Sequence, residues 1–278
     1  MSKLFQDISD TAKWVAQYRA MESQREDAIF NDPFAERLAG IRGKEIVDLL
    51  PAGLSSSWSL AVRTVSIDEM LLNCIAKNNI THVVNLAAGL DSRAFRLTFP
   101  HQITWTEVDL PEILDYKMEV LKNDVPKCKL QSWRYDLSKH DQRKEMYDKI
   151  NQFDGDTLVL TEGLLCYLEE QNVSEMSEEL FANKNVRFWL FDLFVPLSLK
   201  MLNKHWKVFF DEEGAHFRFA TSLDFFTRIG WKPSDARSVI SEAERLNRTS
   251  IISEGIKLIF ESKNMDSNDF YRMELLEK

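Results

Sequence analysis

The residues best suited to chemistry lie where an apolar stretch of the chain gives way to small side chains. In VVNLAAGLDSRAFRL, residues 83–97, a strand-like run ends at Ala87, Ala88 and Gly89. Small residues at the end of a strand allow a ligand to approach the backbone closely. Asp109 follows Gly89 by twenty residues, a separation at which an acidic residue can bind the hydroxyl groups of a ribose. This spacing predicts a ligand that contains a nucleoside.

Two further strand ends carry residues that fit the same ligand. Asp136 and Leu137 follow the third candidate strand, where a carboxylate and an apolar side chain suit the amino group and the ring face of adenine. Glu162 follows the fourth candidate strand. Because an open parallel sheet binds ligands at the carboxyl ends of its strands, we expect these side chains to share one site.

The turn after the first strand distinguishes between two kinds of cofactor. A dinucleotide needs a GxGxxG turn that presents a helix N-terminus to its pyrophosphate. Here the turn reads AAGLDS, and the carboxylate of Asp91 would repel a pyrophosphate. S-adenosylmethionine contains ribose and adenine without phosphate, and its sulfonium and ammonium groups suit an acidic site. Its carboxylate needs a cation, for which Arg63, on the helix before the first strand, is the candidate.

A sheet must position these residues, and the apolar pattern of the chain predicts one. Candidate strands are 82–87, 103–108, 128–134, 157–161 and 186–194. Helical patterns fall at 58–79, 92–98, 111–123, 138–151 and 169–183. Strands and helices that alternate in this way predict an α/β fold with a mainly parallel sheet. Near the end of the chain we expect a helix at 222–229, a strand from residue 231 and a closing edge strand in FYRMELLEK.

The chain is predicted to form a single domain over residues 1–278, because no linker, repeat or low-complexity run interrupts it. Residues 1–57 are expected to form a helical N-terminal extension, and residues 198–220 a lid-like insertion over the site. Four residues are candidates for contacts with a substrate or lid, with structural packing as the alternative: Trp14, Tyr18, Tyr167 and His216.

Composition argues against several classes of protein. The 278 residues are 44% hydrophobic, which is enough for a sizeable core. The formal charge of −9 disfavours nucleic-acid binding, which depends on a basic surface. Asp7 and Asp10 stand where a signal peptide would be apolar, and no stretch reads as a membrane span. We therefore expect a cytoplasmic protein whose partners include neither nucleic acid nor a membrane.

The spacing of cysteines and histidines indicates neither a disulfide framework nor a metal site. The three cysteines, Cys74, Cys128 and Cys166, are far apart and odd in number. The five histidines include no HExxH motif and no pair four residues apart. We expect no metal cofactor.

Several of these stretches, taken in order, resemble the leucine carboxyl methyltransferase-like family, and within it the bacterial branch related to polyketide-biosynthesis O-methyltransferases. The stretches are SDTAKWVAQYRAMESQREDAIFNDPFAERLAG, AVRTVSIDEML, VVNLAAGLDSRAFRL, TEVDLPEILDYK, YDL, LTEGLLCYLEE and SLDFFTRIGW. The resemblance implies the class I methyltransferase fold, which is Rossmann-like, with a mostly parallel seven-stranded sheet and helices on both faces. It also implies S-adenosylmethionine as the cofactor, with S-adenosylhomocysteine as its product.

The resemblance further implies roles for individual residues. By motif position, Arg63 is similar to the family's carboxylate-binding arginine and Gly89 to its cofactor-loop glycine. Asp109 is similar to the ribose-binding acid, and Asp136 and Leu137 to the adenine-site pair.

One match and one departure complete the resemblance. Glu162 is similar to the acid beneath the methionine moiety, and an unpaired carboxylate at this apolar position would be costly to bury. The chain departs from the family at Ala87, where many relatives have glycine. We expect the alanine to fit this turn with a negative φ angle.

Structural roles remain open for some of these side chains. Asp109 could cap the helix that begins at Pro111, and Arg63 could form an ordinary surface ion pair. For Asp91 and Arg93 the expected role is an ion pair that braces the turn.

The expected function is O-methylation of a carboxylate or hydroxyl group of a small molecule, such as a polyketide-like metabolite. A carboxylate is ionised at neutral pH and needs no general base, and no histidine follows a candidate strand, which favours carboxyl methylation. The sequence identifies no catalytic residue. The alternatives are a methyltransferase acting on a protein C-terminal carboxylate, a nicotinamide oxidoreductase and a non-catalytic nucleoside-binding module.

Overall fold

The computed structural model describes residues 5, 8–50, 57–206 and 217–278. The strands are β1 (His82–Leu86), β2 (Thr104–Asp109), β3 (Lys129–Arg134), β4 (Thr157–Thr161), β5 (Val186–Phe194), β6 (Lys232–Ser238) and β7 (Tyr271–Glu277). The helices are α1 (Ile8–Ser23), α2 (Ala35–Leu49), α3 (Ser57–Asn78), α4 (Arg93–Arg96), α5 (Pro111–Val120), α6 (His140–Ile150), α7 (Glu170–Ala182), α8 (Pro196–Trp206), α9 (Asp224–Thr227), α10 (Val239–Arg245) and α11 (Ile251–Glu261). Within these ranges, no helix is both long enough and apolar enough to cross a bilayer.

The strands form one mostly parallel sheet in the order β3-β2-β1-β4-β5-β7-β6. The first five strands in the chain pair in parallel, and β7 runs antiparallel to both β5 and β6. The strand order reverses between β1 and β4, so the loops after these two strands diverge and leave a crevice. The predicted seven-stranded α/β fold is confirmed.

The closing strand β7 lies inside the sheet, so its prediction as an edge strand is wrong. Met273, Leu275 and Leu276 are buried between β5 and β6, and the buried carboxylate of Glu274 pairs with Arg272 at 2.6 Å. The edge strand on this side of the sheet is β6, and β3 forms the opposite edge. The sequence of β6, KPSDARS, is polar and contains a proline, both of which are typical of an edge strand.

Alternate side chains of the central strands enter two separate hydrophobic cores. In β1, Val83 packs with residues of α1, α2 and α3 on one face, whereas Val84 packs with residues of α6 and α7 on the other. In β5, Leu190 belongs to the first core and Trp189 to the second. This is the two-residue period of a strand that is buried on both faces.

The helical N-terminal extension packs onto the first core. α1 packs along α2 and also contacts α3. A side chain at Gly43 would place its Cβ 2.7 Å from the backbone oxygen of Lys13, so glycine allows α1 and α2 to approach closely. Residues 51–56 lie outside the described residues.

Two helices that the sequence pattern did not predict, α10 and α11, connect β6 to β7. α10 packs on α3, and α11 begins at a capping box in which Ser250 and Ser253 each bind the other's backbone. Of the predicted insertion at 198–220, the structure describes the remainder of α8 and residues 217–220. The rest of it, including His216, lies outside the described residues, and the lid stays a prediction.

Candidate functional site

The carboxyl ends of β1, β2, β4 and β5 open onto a cavity of about 600 Å³. The cavity lies where the strand order reverses, which is where open α/β sheets bind their ligands. Six of the residues predicted to bind a cofactor line it: Arg63, Ala87, Ala88, Gly89, Asp109 and Glu162. One helix and three strand ends therefore bring these residues to one site.

Asp109 fixes the small-residue turn after β1. One of its carboxylate oxygens accepts a hydrogen bond of 2.6 Å from the backbone N–H of Gly89, and the other accepts one of 2.7 Å from Leu110. Burial raises the pKa of Asp109, and these two N–H groups offset only part of that effect. Each oxygen keeps a second lone pair, so the carboxylate can hold the turn and still accept hydrogen bonds from a ligand.

Ala87 adopts a left-handed backbone conformation, so the expectation of a negative φ angle is wrong. Its φ is 54°, close to the 50° of Gly89. For a residue with a side chain, the left-handed region costs roughly 1–2 kcal/mol. The turn therefore holds strain that glycine would relieve.

A continuous series of buried ion pairs runs beside this turn, and we name it the arginine–carboxylate chain. Among the described residues it comprises four guanidinium groups and five carboxylates: Arg19, Asp32, Arg96, Asp68, Arg93, Asp91, Glu162, Arg63 and Asp192. Paired nitrogen and oxygen atoms lie 2.6–4.0 Å apart. With every member ionised, the nine side chains of the arginine–carboxylate chain carry a net charge of −1. This charge favours a ligand of net positive charge. Together with the 87–89 turn and Asp109, it forms the charged end of the cavity.

Glu162 lies between two arginines at the centre of this chain. Its carboxylate oxygens are 2.8 Å from Nε of Arg63 and 2.6 Å from Nη1 of Arg93. Nη1 of Arg63 also donates a hydrogen bond of 2.9 Å to the hydroxyl group of Tyr271, which donates in turn to Asp192. Nη2 of Arg63 has no hydrogen-bond partner among the described residues, which leaves this part of the fork for a ligand.

Neighbouring arginines keep three carboxylates of the arginine–carboxylate chain ionised. Burial alone would raise the pKa of Glu162, but Arg93 and Arg63 outweigh burial and hold this pKa below its ordinary value. The same balance holds the pKa of Asp91 low, with Arg93 as the main partner, and the pKa of Asp32, with two other arginines. Asp32, Asp91 and Glu162 are therefore ionised over the whole physiological pH range.

Asp91 and Arg93 form the predicted structural ion pair. The two side chains are 2.7 Å apart, and the other oxygen of Asp91 accepts a hydrogen bond from the backbone of Arg93. Asn85 donates a further hydrogen bond of 2.8 Å to Asp91 from the end of β1. These contacts brace the turn and keep a negative charge beside it.

Asp136 and Leu137, the predicted adenine pair, are not among the residues that line the cavity. Asp136 accepts hydrogen bonds of 2.9 and 2.6 Å from the backbone and the hydroxyl group of Ser138, and so closes a turn after β3. Leu137 packs against the second hydrophobic core. Their role in binding adenine stays a prediction.

The candidates for substrate contacts fall in different places. Trp14 and Tyr167 line the cavity, and the ring of Tyr167 stacks on Phe217 with centroids 5.3 Å apart. Tyr18 does not line it. Its side chain is buried edge-on against Trp14 in the core of the N-terminal extension, which is the packing alternative.

The other end of the cavity is apolar. Its walls come from the start of α3, the end of β5, α8, α11 and the segment before β7, and include Trp58, Phe194, Met201, Leu202, Phe217, Ile252, Ile256, Ile259 and Phe270. We call this the apolar end. The apolar end is continuous with the charged end, so a ligand bound at one end can contact a ligand bound at the other.

No described histidine lies at the site to act as a general base. Three histidine side chains are described, those of His82, His101 and His140, and none of them lines the cavity. Burial raises the pKa of the Cys166 thiol and the pKa of the Tyr167 hydroxyl, so both groups are neutral at pH 7. Across the described ranges, no group of histidine, cysteine and acidic residues is arranged to hold a metal ion.

Reasoning from sequence missed several members of the site: Arg19, Asp32, Asp68, Arg96, Asp192 and Tyr271. Asp192 had a signal, because a carboxylate inside the apolar stretch FWLFDLF must find a partner when that stretch is buried. Tyr271 had none, since it reaches the site from β7, which the pattern placed at the edge of the sheet.

Comparisons with known proteins agree with this architecture. One solved structure is that of a Thermobifida fusca protein provisionally named a methyltransferase. It superposes on this chain with a TM-score of 0.59 at 12% identity, covering 98% of this chain and 94% of that one. A DUF574-family protein from Streptomyces avermitilis gives a TM-score of 0.57 at 7% identity, covering 96% and 97%. At these identities the comparisons establish the fold alone.

Sequence comparison identifies the family. A Streptomyces coelicolor protein, provisionally named an S-adenosyl-L-methionine-dependent methyltransferase, is 35% identical over 182 residues, 59% of this chain. The chain thus matches 60% of the length of this relative. The family model described as leucine carboxyl methyltransferase matches residues 12–181, which is more than half of the chain. The chain therefore belongs to the leucine carboxyl methyltransferase family, as its motifs predicted, and its relatives are named for their dependence on S-adenosylmethionine.

Proposed function

We propose that this chain is an S-adenosylmethionine-dependent O-methyltransferase whose acceptor is the carboxylate of a small molecule. The observation that carries the proposal is the charged end of the cavity. There, a small-residue turn, a braced acidic residue and a chain of ion pairs with a net negative charge meet at the switch point of the sheet.

The residues of the charged end fit the cofactor. S-adenosylmethionine carries a sulfonium, an ammonium and a carboxylate, a net positive charge that the arginine–carboxylate chain complements. Asp109 can accept hydrogen bonds from ribose hydroxyl groups at the turn that it holds. Nη2 of Arg63 can bind the cofactor's carboxylate, while its other nitrogens keep the contacts with Glu162 and Tyr271.

When bound, the cofactor supplies a methyl group that its sulfonium already activates. The residues of this chain then have to orient the acceptor and exclude water. The fixed charges orient polar groups without rearrangement, because each is held by at least one buried partner. The apolar end keeps water away from the acceptor.

The absence of a described histidine at the cavity favours a carboxylate over a hydroxyl group as the acceptor. A carboxylate is already ionised at pH 7 and has no proton to lose. A phenol or an alcohol would have to give its proton to a base. The described thiol and the two described phenols of the cavity, Tyr167 and Tyr271, are neutral. The carboxylates of Glu162 and Asp109 are held by arginines or backbone N–H groups. Hydroxyl methylation of a polyketide-like metabolite is the alternative within the same reaction class.

A protein C-terminal carboxylate is the second candidate acceptor, and the name of the family favours it. Such an acceptor would present a short peptide end to the cavity, with the rest of the partner outside. A small molecule would fit within the space. The two acceptors give products that differ in size by orders of magnitude, which makes them easy to separate.

The test is incubation of the purified protein with methyl-labelled S-adenosylmethionine and a metabolite extract, followed by separation of small molecules from protein. We expect label in the small-molecule fraction that mild alkali releases as methanol, because esters hydrolyse and ethers do not. Alkali-stable label would indicate hydroxyl methylation, and label in protein would indicate the C-terminal acceptor. Cofactor binding without transfer would support a non-catalytic binding module, and failure to bind the cofactor would overturn the proposal.

A further inference from the structure

Helix α11 presents a stripe of residues to the cavity. Ile252, Gly255, Ile256 and Ile259 all line it, at spacings of three and four residues that lie on one face of a helix. Ile256 is 5% exposed and packs into a buried cluster, which fixes the helix over the cavity. α11 therefore forms one wall of the apolar end.

Gly255 is unusual within this stripe. A glycine in the interior of a helix is destabilising relative to alanine, so it needs a reason. Close packing is not the reason, because a Cβ atom built at Gly255 meets nothing within 4 Å. At Gly43, by contrast, the same atom would lie 2.7 Å from a backbone oxygen of α1. Gly255 preserves empty space, and the neighbours on its stripe show that this space belongs to the cavity.

The wall that faces this space is also apolar. It includes Trp58, Phe194, Met201 and Phe270, which come from four different parts of the chain. Trp58, Phe194 and Met201 pack against the same buried cluster that holds Ile256, so the wall is a supported surface. A chamber lined in this way gains free energy when an apolar group displaces water from it.

We propose that the apolar end binds the hydrocarbon body of a carboxylic acid, and that Gly255 sets the largest body that it accepts. The proposal rests on the proposed function for the role of this acid as methyl acceptor. Because the cavity is continuous, a body held at the apolar end can direct its carboxylate towards the charged end, where the proposed cofactor would bind. Phe217 and Tyr167, stacked on each other, lie along the same wall.

The binding test uses the complete chain with S-adenosylhomocysteine present and titrates straight-chain carboxylic acids from acetate to palmitate by calorimetry. Affinity should rise about fourfold for each added methylene, the equivalent of about 0.8 kcal/mol, until the chamber is filled. Affinity that does not depend on chain length would overturn the proposal.

Two variants test the role of Gly255. Gly255→Leu should abolish the gain for the longer acids and leave the shorter acids and S-adenosylhomocysteine bound as before. Gly255→Ala should keep most of the long-acid affinity and raise the Tm by a few degrees, whereas Gly43→Ala should lower the Tm. A folded Gly255→Leu protein that binds long acids normally would contradict the assignment.

These measurements separate the inference from the proposed function. Loss of cofactor binding with normal length-dependent binding of acids would refute the methyltransferase proposal and retain the chamber. Normal cofactor binding with no binding of any acid in the series would refute the chamber alone.

Discussion

The two ends of the cavity are stabilised in opposite ways. At the charged end, ion pairs of 2.6–4.0 Å hold the side chains in place, and Asp32, Asp68 and Glu162 each contact two arginines. At the apolar end, hydrocarbon side chains form the walls, and Ile256 of α11 packs into a buried hydrophobic cluster. The structure of the charged end depends on the charge and orientation of its side chains, and that of the apolar end on the volume of its side chains.

This difference predicts how each end responds to change. Removing one partner of a buried ion pair destabilises a protein far more than replacing both partners with hydrophobic residues, because it leaves a buried charge unpaired. The stability of the charged end should therefore be sensitive even to conservative substitutions. Burial of hydrocarbon is not directional, so the apolar end should tolerate changes of shape and respond mainly to changes of volume. The predictions below test this difference, beginning with the largest effect.

Removing the central charge should be the most damaging single change. Glu162→Gln leaves Arg63 and Arg93 facing each other without their shared carboxylate, and we expect it to lower the free energy of unfolding by about 3–5 kcal/mol. Urea denaturation monitored by fluorescence measures this. Glu169→Gln is the matched control, because Glu169 pairs with Arg218 at 2.9 Å on the surface and should matter little. Similar losses in the two variants would show that the chain of ion pairs is not a stabilising unit.

Acid should destabilise the protein through the same carboxylates. The pKa of Glu162 and the pKa of Asp32 are lower in the folded protein than their ordinary values of 4.5 and 3.8. The unfolded chain therefore takes up protons first, and stability falls as the pH drops below about 5, by about 1.4 kcal/mol for each unit of pKa difference. Asp109, with a raised pKa, opposes this trend weakly.

The matched experiment for this prediction is denaturation of the Glu162→Gln protein across the same pH range. It should lose less stability between pH 5 and pH 3 than the unchanged protein, because one of the linked carboxylates is gone. Parallel slopes for the two proteins would contradict the pKa assignment of Glu162.

Asp109→Asn should weaken cofactor binding more than it weakens the fold. The amide retains one oxygen acceptor, but it loses the charge and one acceptor for the turn and the ribose, so we expect a loss of about 1.5–3 kcal/mol in binding. Asp136→Asn is the control, since Asp136 does not line the cavity and binds Ser138 instead. A larger loss from Asp136→Asn would place the adenine site after β3, as the sequence predicted, and would show that the cavity extends there on binding.

The smallest expected effect is a gain in the free energy of unfolding. Ala87→Gly should stabilise the protein by up to about 1 kcal/mol, because relief of the left-handed conformation outweighs the greater freedom of glycine in the unfolded chain. Ala88→Gly next to it should destabilise by about the same amount, since Ala88 is buried and does not have a positive φ angle. Thermal unfolding of both variants decides the point, and a stabilising Ala88→Gly would contradict it.

The two ends of the cavity also differ in how far the sequence predicts them. Part of the charged end was predictable, because parallel strands deliver their carboxyl ends to one edge, and Gly89, Asp109 and Glu162 each lie at or just after the end of a strand. The left-handed φ of Ala87 had one signal, the glycine that many relatives have at this position, because glycine adopts a positive φ angle readily.

The apolar end could not be predicted in this way. It is built from segments far apart in the chain, and an apolar residue such as Ile256 reads the same whether it faces a core or a cavity. The sequence of α11 was not even recognised as helical, although Ser250 and Ser253 form its capping box. Nothing local distinguishes Gly255 from a helix-breaking glycine until the space beside it is known.

The central claim is that the charged end binds S-adenosylmethionine through its amino-acid part, and Arg63→Lys tests it most directly. Lysine keeps a positive charge beside Glu162 and Asp192 but lacks the nitrogen fork that can bind a carboxylate. Calorimetry should show affinity for S-adenosylmethionine reduced about tenfold or more, with affinity for methylthioadenosine, which lacks the amino-acid part, nearly unchanged. Equal losses for the two ligands in a protein of normal Tm would mean that Arg63 supports the fold only and would contradict the account.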